Sequence, residues 1–299
     1  MDVLVTGSHG MIGTALIPRL RARGDHVLRL VRSAPEGSDD VRWDPPAGTV
    51  DAAALEGVDA VVHLAGAGIG DKKWTDARKR LVLESRTQPT GLLARTLAAL
   101  DRKPHVLVSA SAIGFYGDRG PEVLTEDSSS GTDFGARVCE AWEDATTPAA
   151  SAGIRVVRIR SGLVLASQGG LLKRLLLPFR LGIGGRLGSG DQYMSWIALD
   201  DELRAILHVV DNGSLAGALN LTAPNPVTNR QFTEALGRAV HRPTIIPTPL
   251  LGLKAVYGGE LVETLLGSQR VSSTKLQSSG FEFTHPHLDA ALDDILRST

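Results

Sequence analysis

The stretch Thr6-Gly7-Ser8-His9-Gly10-Met11-Ile12-Gly13 decides the fold. It follows the β-branched run Val3–Thr6 and opens the helix-length segment Ile12–Arg23, so its glycines have G-x-x-G-x-x-G spacing in a strand–turn–helix context. Gly7 permits the tight turn, Gly10 lets the backbone approach a pyrophosphate, and Gly13 lets the helix pack on the strand. The first helical amides around Met11 and Ile12 are free to receive an anion at the positive end of the helix dipole. His9 reads as an exposed loop residue.

Working outward, nearly continuous apolar runs at Val27–Val31, Ala60–Leu64, His105–Ser109 and Arg155–Ile159 read as strands covered on both faces. Helix-length segments at Lys79–Leu100 and Ala136–Ala152 alternate with them, the order that yields parallel strands with crossover helices. The fold class is therefore α/β, a Rossmann-type doubly wound parallel sheet with a smaller C-terminal substrate lobe. The expected units are residues 1–160, which bind the nucleotide, and residues 161–299, with the stretch near 196–222 open to returning to the first. In the second unit, Leu171–Leu181 reads as a buried helix in preference to a pocket lining. "YMSWIALDDELRAILHVV" reads as a strand turn followed by a helix with an acidic start, and Leu288–Leu296 as a final helix.

The charge after the second strand selects the cofactor. A site built for NAD places an acid there for the ribose 2′-hydroxyl, whereas this chain has Arg32 followed by Ser33. A guanidinium offers planar donors to a 2′-phosphate, so NADP(H) is the expected cofactor. His63-Leu64-Ala65-Gly66 ends the third strand and would line the adenosine and ribose side, with His63 either a packed strand-end residue or a ligand contact.

Composition narrows the partners. The net charge of -1, from 32 Lys+Arg against 33 Asp+Glu, supplies no basic field for nucleic acid. No apolar run approaches the length that spans a bilayer, and a strand-like run from residue 2 leaves no room for a leader, so a cytoplasmic protein acting on a small molecule is expected. The one cysteine, Cys139, reads as a buried structural thiol. His285-Pro286-His287 lacks a third ligand nearby, and no metal is expected.

Several segments carry a resemblance across nearly the whole chain: "LVTGSHGMIG", "VVHLAGAGI", "ESRTQPTGLL", "SASAIGFYGDRG", "RIRSGLVL", "LNLTAPNPVTNRQF" and "LLGSQRVSSTKLQSSGFEFTHP". In these the chain resembles the extended branch of the short-chain dehydrogenase/reductase superfamily. Within that branch it is most similar to the epimerase-like proteins of unassigned substrate that carry a small C-terminal domain, here residues 247–296. The resemblance implies a Ser, a Tyr, a Lys and an assisting Asn at the active site. Carried over by position, the Ser falls on Ser111, with Ser109 just before it, and the Asn on Arg86. The Tyr falls on Phe134 and the Lys on Val138. No Tyr-x-x-x-Lys occurs elsewhere, since Tyr116, Tyr193 and Tyr257 are followed four residues later by Gly120, Ile197 and Leu261.

The cofactor platform is thus expected without its usual proton relay. Tyr116 follows the Ser109–Ser111 strand end and reads as a structural aromatic or a substitute acid. Arg86 and Arg160 are candidates for anion contacts with the cofactor, or for pairing with an acid of the protein. Met194 and Ser195 stand where sugar-nucleotide relatives tend to carry an Arg for the substrate diphosphate, which speaks against such a substrate. Two functions are compatible with these residues: an NADP(H)-dependent oxidoreductase or epimerase acting on a small carbonyl or hydroxyl compound, and a non-catalytic NADP(H)-binding sensor or partner-binding module. A homodimer through a long helix such as Lys79–Leu100 is an expectation from the resemblance alone.

Overall fold

The computed structural model describes residues 1–297; Ser298 and Thr299, which close the second expected unit, lie outside the described residues. The first half runs β1 (Asp2–Thr6), α1 (Met11–Ala22), β2 (His26–Val31), β3 (Asp40–Asp44), β4 (Thr49–Val50), β5 (Ala60–His63), α2 (Asp76–Ala99), β6 (Val106–Ala112), β7 (Val123–Leu124), α3 (Phe134–Asp144), α4 (Thr147–Ser151) and β8 (Arg155–Ser161). There follow β9 (Leu163–Leu165), α5 (Gly170–Arg180), β10 (Tyr193–Met194), β11 (Trp196–Ala198), α6 (Leu199–Asp211), β12 (Gly217–Leu221), β13 (Val227–Thr228) and α7 (Asn229–Ala239). The chain closes with α8 (Leu250–Tyr257), α9 (Gly259–Leu266), β14 (Arg270–Val271), α10 (Thr274–Ser278) and α11 (Leu288–Arg297).

Eight strands form the central sheet in the order β12-β8-β6-β5-β1-β2-β3-β4, and within it only the β3–β4 pair is antiparallel. From β1 the chain winds one way to β2 and later the other way through β5 and β6. The chain therefore reverses its winding direction at β1, and a crevice opens beyond the carboxyl ends of the strands there.

Period-two alternation sorts the strand residues between two cores. Val5, Val62, Val108 and Ile159 face α1 and α6 through Leu16, Leu20, Leu203 and Ile206. Leu4, Val61, Leu107 and Val156 face α2 through Leu93 and Leu97. Burying each such side chain contributes about 1.5–3 kcal/mol relative to leaving it in water, which is why these strands read as unbroken apolar runs. A third core joins Leu172, Leu176 and Phe179 of α5 to Trp196, Phe232 and Leu292.

The structure differs from the sequence expectations in three places. The helix expected over Ala136–Ala152 is two, because Pro148 lies in the first turn of α4, where its missing N–H costs no helical hydrogen bond. The helix in Leu171–Leu181 is amphipathic and not wholly buried: Leu177 and Leu181 are 66% and 64% exposed. β3 and β4 were not expected, and they extend the sheet past β2. The segment over Ala218–Thr222 joins the main sheet as β12, beside β8.

Candidate functional site

The glycine turn is built as its spacing requires. Gly7 has φ +68, and a Cβ there would sit 2.7 Å from the Leu64 carbonyl, so the loops after β1 and β5 touch only because residue 7 has no side chain. A Cβ on Gly13 would overlap the Gly7 carbonyl oxygen. Gly10 is the N-cap of α1, with no side-chain cap and no acidic residue in the first turn. The amides of Met11, Ile12 and Gly13 are the first of the helix and precede its first backbone bond, Thr14 N–H to the Gly10 carbonyl. Met11 also ties the loop to the second half of the chain, since a Cβ on Gly169, just before α5, would lie 2.7 Å from its sulfur.

Beside this turn lies a cleft of about 660 Å³ lined by Gly7, Gly10, Arg32, Leu64, Ala65 and Gly66, among others. Arg32 is exposed on its rim and pairs with no carboxylate among the described residues, whereas Arg29 is held by Asp40 in a bidentate pair. Ser33 follows on the surface, outside the lining. Trp43, Pro45 and Pro46 from the β3–β4 hairpin wall one side, and Glu84, Ser85 and Gln88 of α2 the other. These walls were missed in the sequence; the signal was the alternation of Val41 and Trp43 before a proline pair.

His63 is a packed residue. Its Nδ1 is 2.7 Å from Thr6 Oγ1, its Nε2 is 2.8 Å from Thr90 Oγ1, and it is fully buried. Thr6 Oγ1 accepts the Leu64 and Ala65 amides and so donates its proton to Nδ1, which puts the imidazole proton on Nε2, facing Thr90. Burial holds His63 neutral, its pKa lowered to about 4. The ring therefore fixes the turn that lines the cleft, and Leu64 and Ala65 face the cleft in its place.

His63 begins a polar row across one face of the sheet. Neighbouring positions in register are Thr6 with His63, His63 with Ser109, Ser111 with Arg160, and Arg160 with Asn220. Ser111 donates to Glu143 at 2.7 Å, and Arg160 donates to both oxygens of Glu143 at 2.8 and 2.9 Å. Arg160 also donates to the Tyr116 hydroxyl and the Glu126 carbonyl, with Phe115 stacked 3.5 Å from its guanidinium carbon. Tyr116 donates to Asn220 Oδ1 at 2.7 Å, and the Asn220 amide donates to Glu126 Oε1.

These bonds bear on four of the candidate residues. Arg160 pairs with an acid of the protein, so its donors are not available to a cofactor phosphate. Tyr116 is 0% exposed and burial raises its pKa, so it is the structural aromatic and not a substitute acid. Ser111 is 5% exposed and its hydroxyl donates to Glu143, so in this structure it belongs to the buried row and does not open onto the cleft. Ser109 is buried deeper, its hydroxyl has no partner among the described residues, and it is not among the residues lining the cleft.

The remaining positions are packing groups. Phe134 meets Trp74 edge-on at 4.9 Å with Lys79 Nζ 5.3 Å from its ring centre, and Val138 is buried. Ser195 accepts the Val271 amide and donates to the Gln269 carbonyl, fastening the C-terminal segment. Cys139 is buried, and burial pushes its thiol up to about 12. His285 approaches Asp200 and Asp201, but Asp201 accepts the Thr284 and His285 amides and Asp200 pairs with Arg19. Among the described residues no helix is long and apolar enough to cross a membrane.

Comparison with known proteins agrees with this architecture. Residues 3–221 match the model of the NAD dependent epimerase/dehydratase family, and residues 248–295 match a domain of unknown function, DUF1731. The chain is 45% identical over 290 residues to epimerase family protein Mb2239 of Mycobacterium bovis, covering 97% of this chain and 96% of that one. It superposes on the crystal structure of human epimerase family protein SDR39U1 with NADPH at a TM-score of 0.91 and 34% identity, over 100% of both chains. It shares its fold with the Thermus thermophilus UDP-glucose 4-epimerase complex with NAD, at a TM-score of 0.76 and 21% identity over 99% of both chains.

Proposed function

The chain belongs to the NAD dependent epimerase/dehydratase family, and on that premise we propose that it binds NADP(H) and transfers hydride to or from a small carbonyl or hydroxyl compound. The observation that carries the cofactor assignment is the exposed Arg32, without a carboxylate partner among the described residues, on the rim of a cleft that reaches Gly10, the N-cap of α1, which has no side-chain cap. A dinucleotide seated there puts its pyrophosphate on the amides of Met11, Ile12 and Gly13, and a 2′-phosphate within the reach of Arg32. The human relative crystallised with NADPH supports the same choice. When bound, the cofactor supplies the hydride. The protein orients it through the Gly7–Gly13 turn and the Leu64–Gly66 turn that His63 holds in place.

The second reading, a cofactor-binding module without turnover, is favoured by the polar row. Ser111 and Tyr116 are both buried and engaged, so neither presents a proton to the cleft.

Titration calorimetry with NADPH, NADP⁺, NADH and NAD⁺ tests the cofactor, and loss of nicotinamide absorbance over a panel of carbonyl compounds tests the chemistry. Arg32→Asp is expected to weaken NADPH by about 10–100-fold relative to NADH, from loss of charge-assisted hydrogen bonds worth ~1.5–3 kcal/mol. An unchanged preference would remove Arg32 from the site. NADPH binding without turnover on any compound would favour the module.

A further inference from the structure

Arg86 is a second guanidinium with unused donors, half-buried behind the Gly66 wall of the cleft and not itself among the cleft-lining residues. In the sheet order Arg32 follows β2, whereas Arg86 projects from α2 behind Gly66, which follows β5. A Cβ on Gly66 would lie 3.4 Å from its guanidinium carbon. Its plane stacks 4.9 Å from the Trp142 ring centre, and one nitrogen donates to the Val82 carbonyl at 3.0 Å. Among the described residues no carboxylate pairs with Arg86, and the bond to Val82 leaves the other donors of the fork free for a ligand. An indole face attracts the cation but accepts none of its in-plane N–H bonds.

The surroundings deepen the deficit. Burial disfavours the Arg86 cation, and so does the nearby positive charge of Arg78. Arg78 lies two helical turns earlier on α2, donates to the Gly68 carbonyl, and has its Nε buried without a partner. Its nearest acid, Asp71, is 3.9 Å away and is also held by Arg174 at 2.7 Å. Two guanidiniums thus converge behind the Gly66 loop with too little negative charge to balance them. A half-buried guanidinium whose remaining donors are open to solvent is suited to receive an anionic ligand.

The cofactor's own anions are provided for elsewhere, the pyrophosphate by the α1 amides and the 2′-phosphate by Arg32. We propose that Arg86 receives an oxyanion of the substrate, a carboxylate or phosphate group, and that the protein therefore acts on anionic carbonyl or hydroxyl compounds. This rests on the NADP(H) reading above. A guanidinium grips either group with two parallel N–H bonds, and the Trp142 face holds the fork in one plane.

The test uses the full chain saturated with NADPH and a set of matched probes: pyruvate against methyl pyruvate, glyceraldehyde 3-phosphate against glyceraldehyde, and oxalate and inorganic phosphate as plain anions. Binding is read by calorimetry, and turnover by nicotinamide absorbance. The anionic member of at least one pair is expected to bind more tightly than the neutral one. Arg86→Gln should lose that preference by about tenfold or more while NADPH affinity stays within about threefold, and Arg86→Lys should restore part of it. Retained NADPH binding also certifies that the variant is folded. If Arg86→Gln weakens NADPH as much as it weakens the probes, Arg86 serves the cofactor and the proposal fails. It fails equally if no oxyanion binds the wild-type complex at millimolar concentration. Absence of NADPH binding to wild type would instead overturn the cofactor reading on which the proposal rests.

Discussion

The ends of β1, β2 and β5 and the ends of β6, β8 and β12 both carry polar residues, with opposite outcomes. On the first side Gly7, Gly10 and Arg32 line an open cleft, the α1 amides next to it have no side-chain cap, and Arg32 pairs with no carboxylate among the described residues. On the second, Ser111, Glu143, Arg160, Tyr116 and Asn220 satisfy one another in the dark. A sequence motif identifies which polar groups reach the strand ends. Whether they form a site depends on how much of their hydrogen-bonding capacity the fold leaves unused.

Breaking the closed side is expected to give the largest effect. Glu143→Leu leaves the Arg160 charge buried and unpaired, a loss of about 3–5 kcal/mol in urea unfolding, and Glu143→Leu with Arg160→Leu should recover much of it. The folded fraction should keep its NADPH affinity. Intact stability with lost turnover would mean that the row does chemistry, and the contrast between the two sides would disappear.

A smaller effect concerns pH. His63, beneath the cleft, has its pKa lowered by burial from 6.5 to about 4, so its contribution is present above 6.5 and is lost as pH falls towards 4. Glu202, on the opposite face of the sheet under Ser161, has its pKa raised by burial from 4.5 to about 7, so its contribution is present below 4.5 and is lost as pH rises towards 7. Each amounts to about 3 kcal/mol, and the two slopes oppose each other over nearly the same range. Glu202→Gln should therefore make stability climb more steeply with pH between 4.5 and 7, and His63→Gln should tilt it the other way, as measured by denaturant midpoints. Parallel curves for both variants and wild type would show that neither group is held as the structure implies.

The smallest effect is that of Ser111→Ala. Losing one hydrogen bond to a charged acceptor costs about 1.5–3 kcal/mol at most, and turnover on any active compound should persist. Abolished turnover with unchanged stability would return Ser111 to the active site.

The parts legible in the sequence were those set by local geometry and period. Gly7 and Gly13 have neighbours that no side chain could share, and the valine and leucine runs at Val3–Thr6 and Ala60–Leu64 mark strands covered on both faces whatever surrounds them. The β3–β4 hairpin escaped notice because β4 is two residues long, too short to show a period. The position of Arg32 after the second strand marked it for a 2′-phosphate, but nothing in the order of residues decided whether Arg160, also at a strand end, meets an anion of the cofactor or an acid of the protein. The fold alone did, by bringing Glu143 from α3 against Arg160 and, among the described residues, no carboxylate against Arg32. A backbone turn is determined by nearest neighbours along the chain. A buried charge is determined by whichever partner the tertiary structure brings within about 3 Å, where hydrogen bonds form.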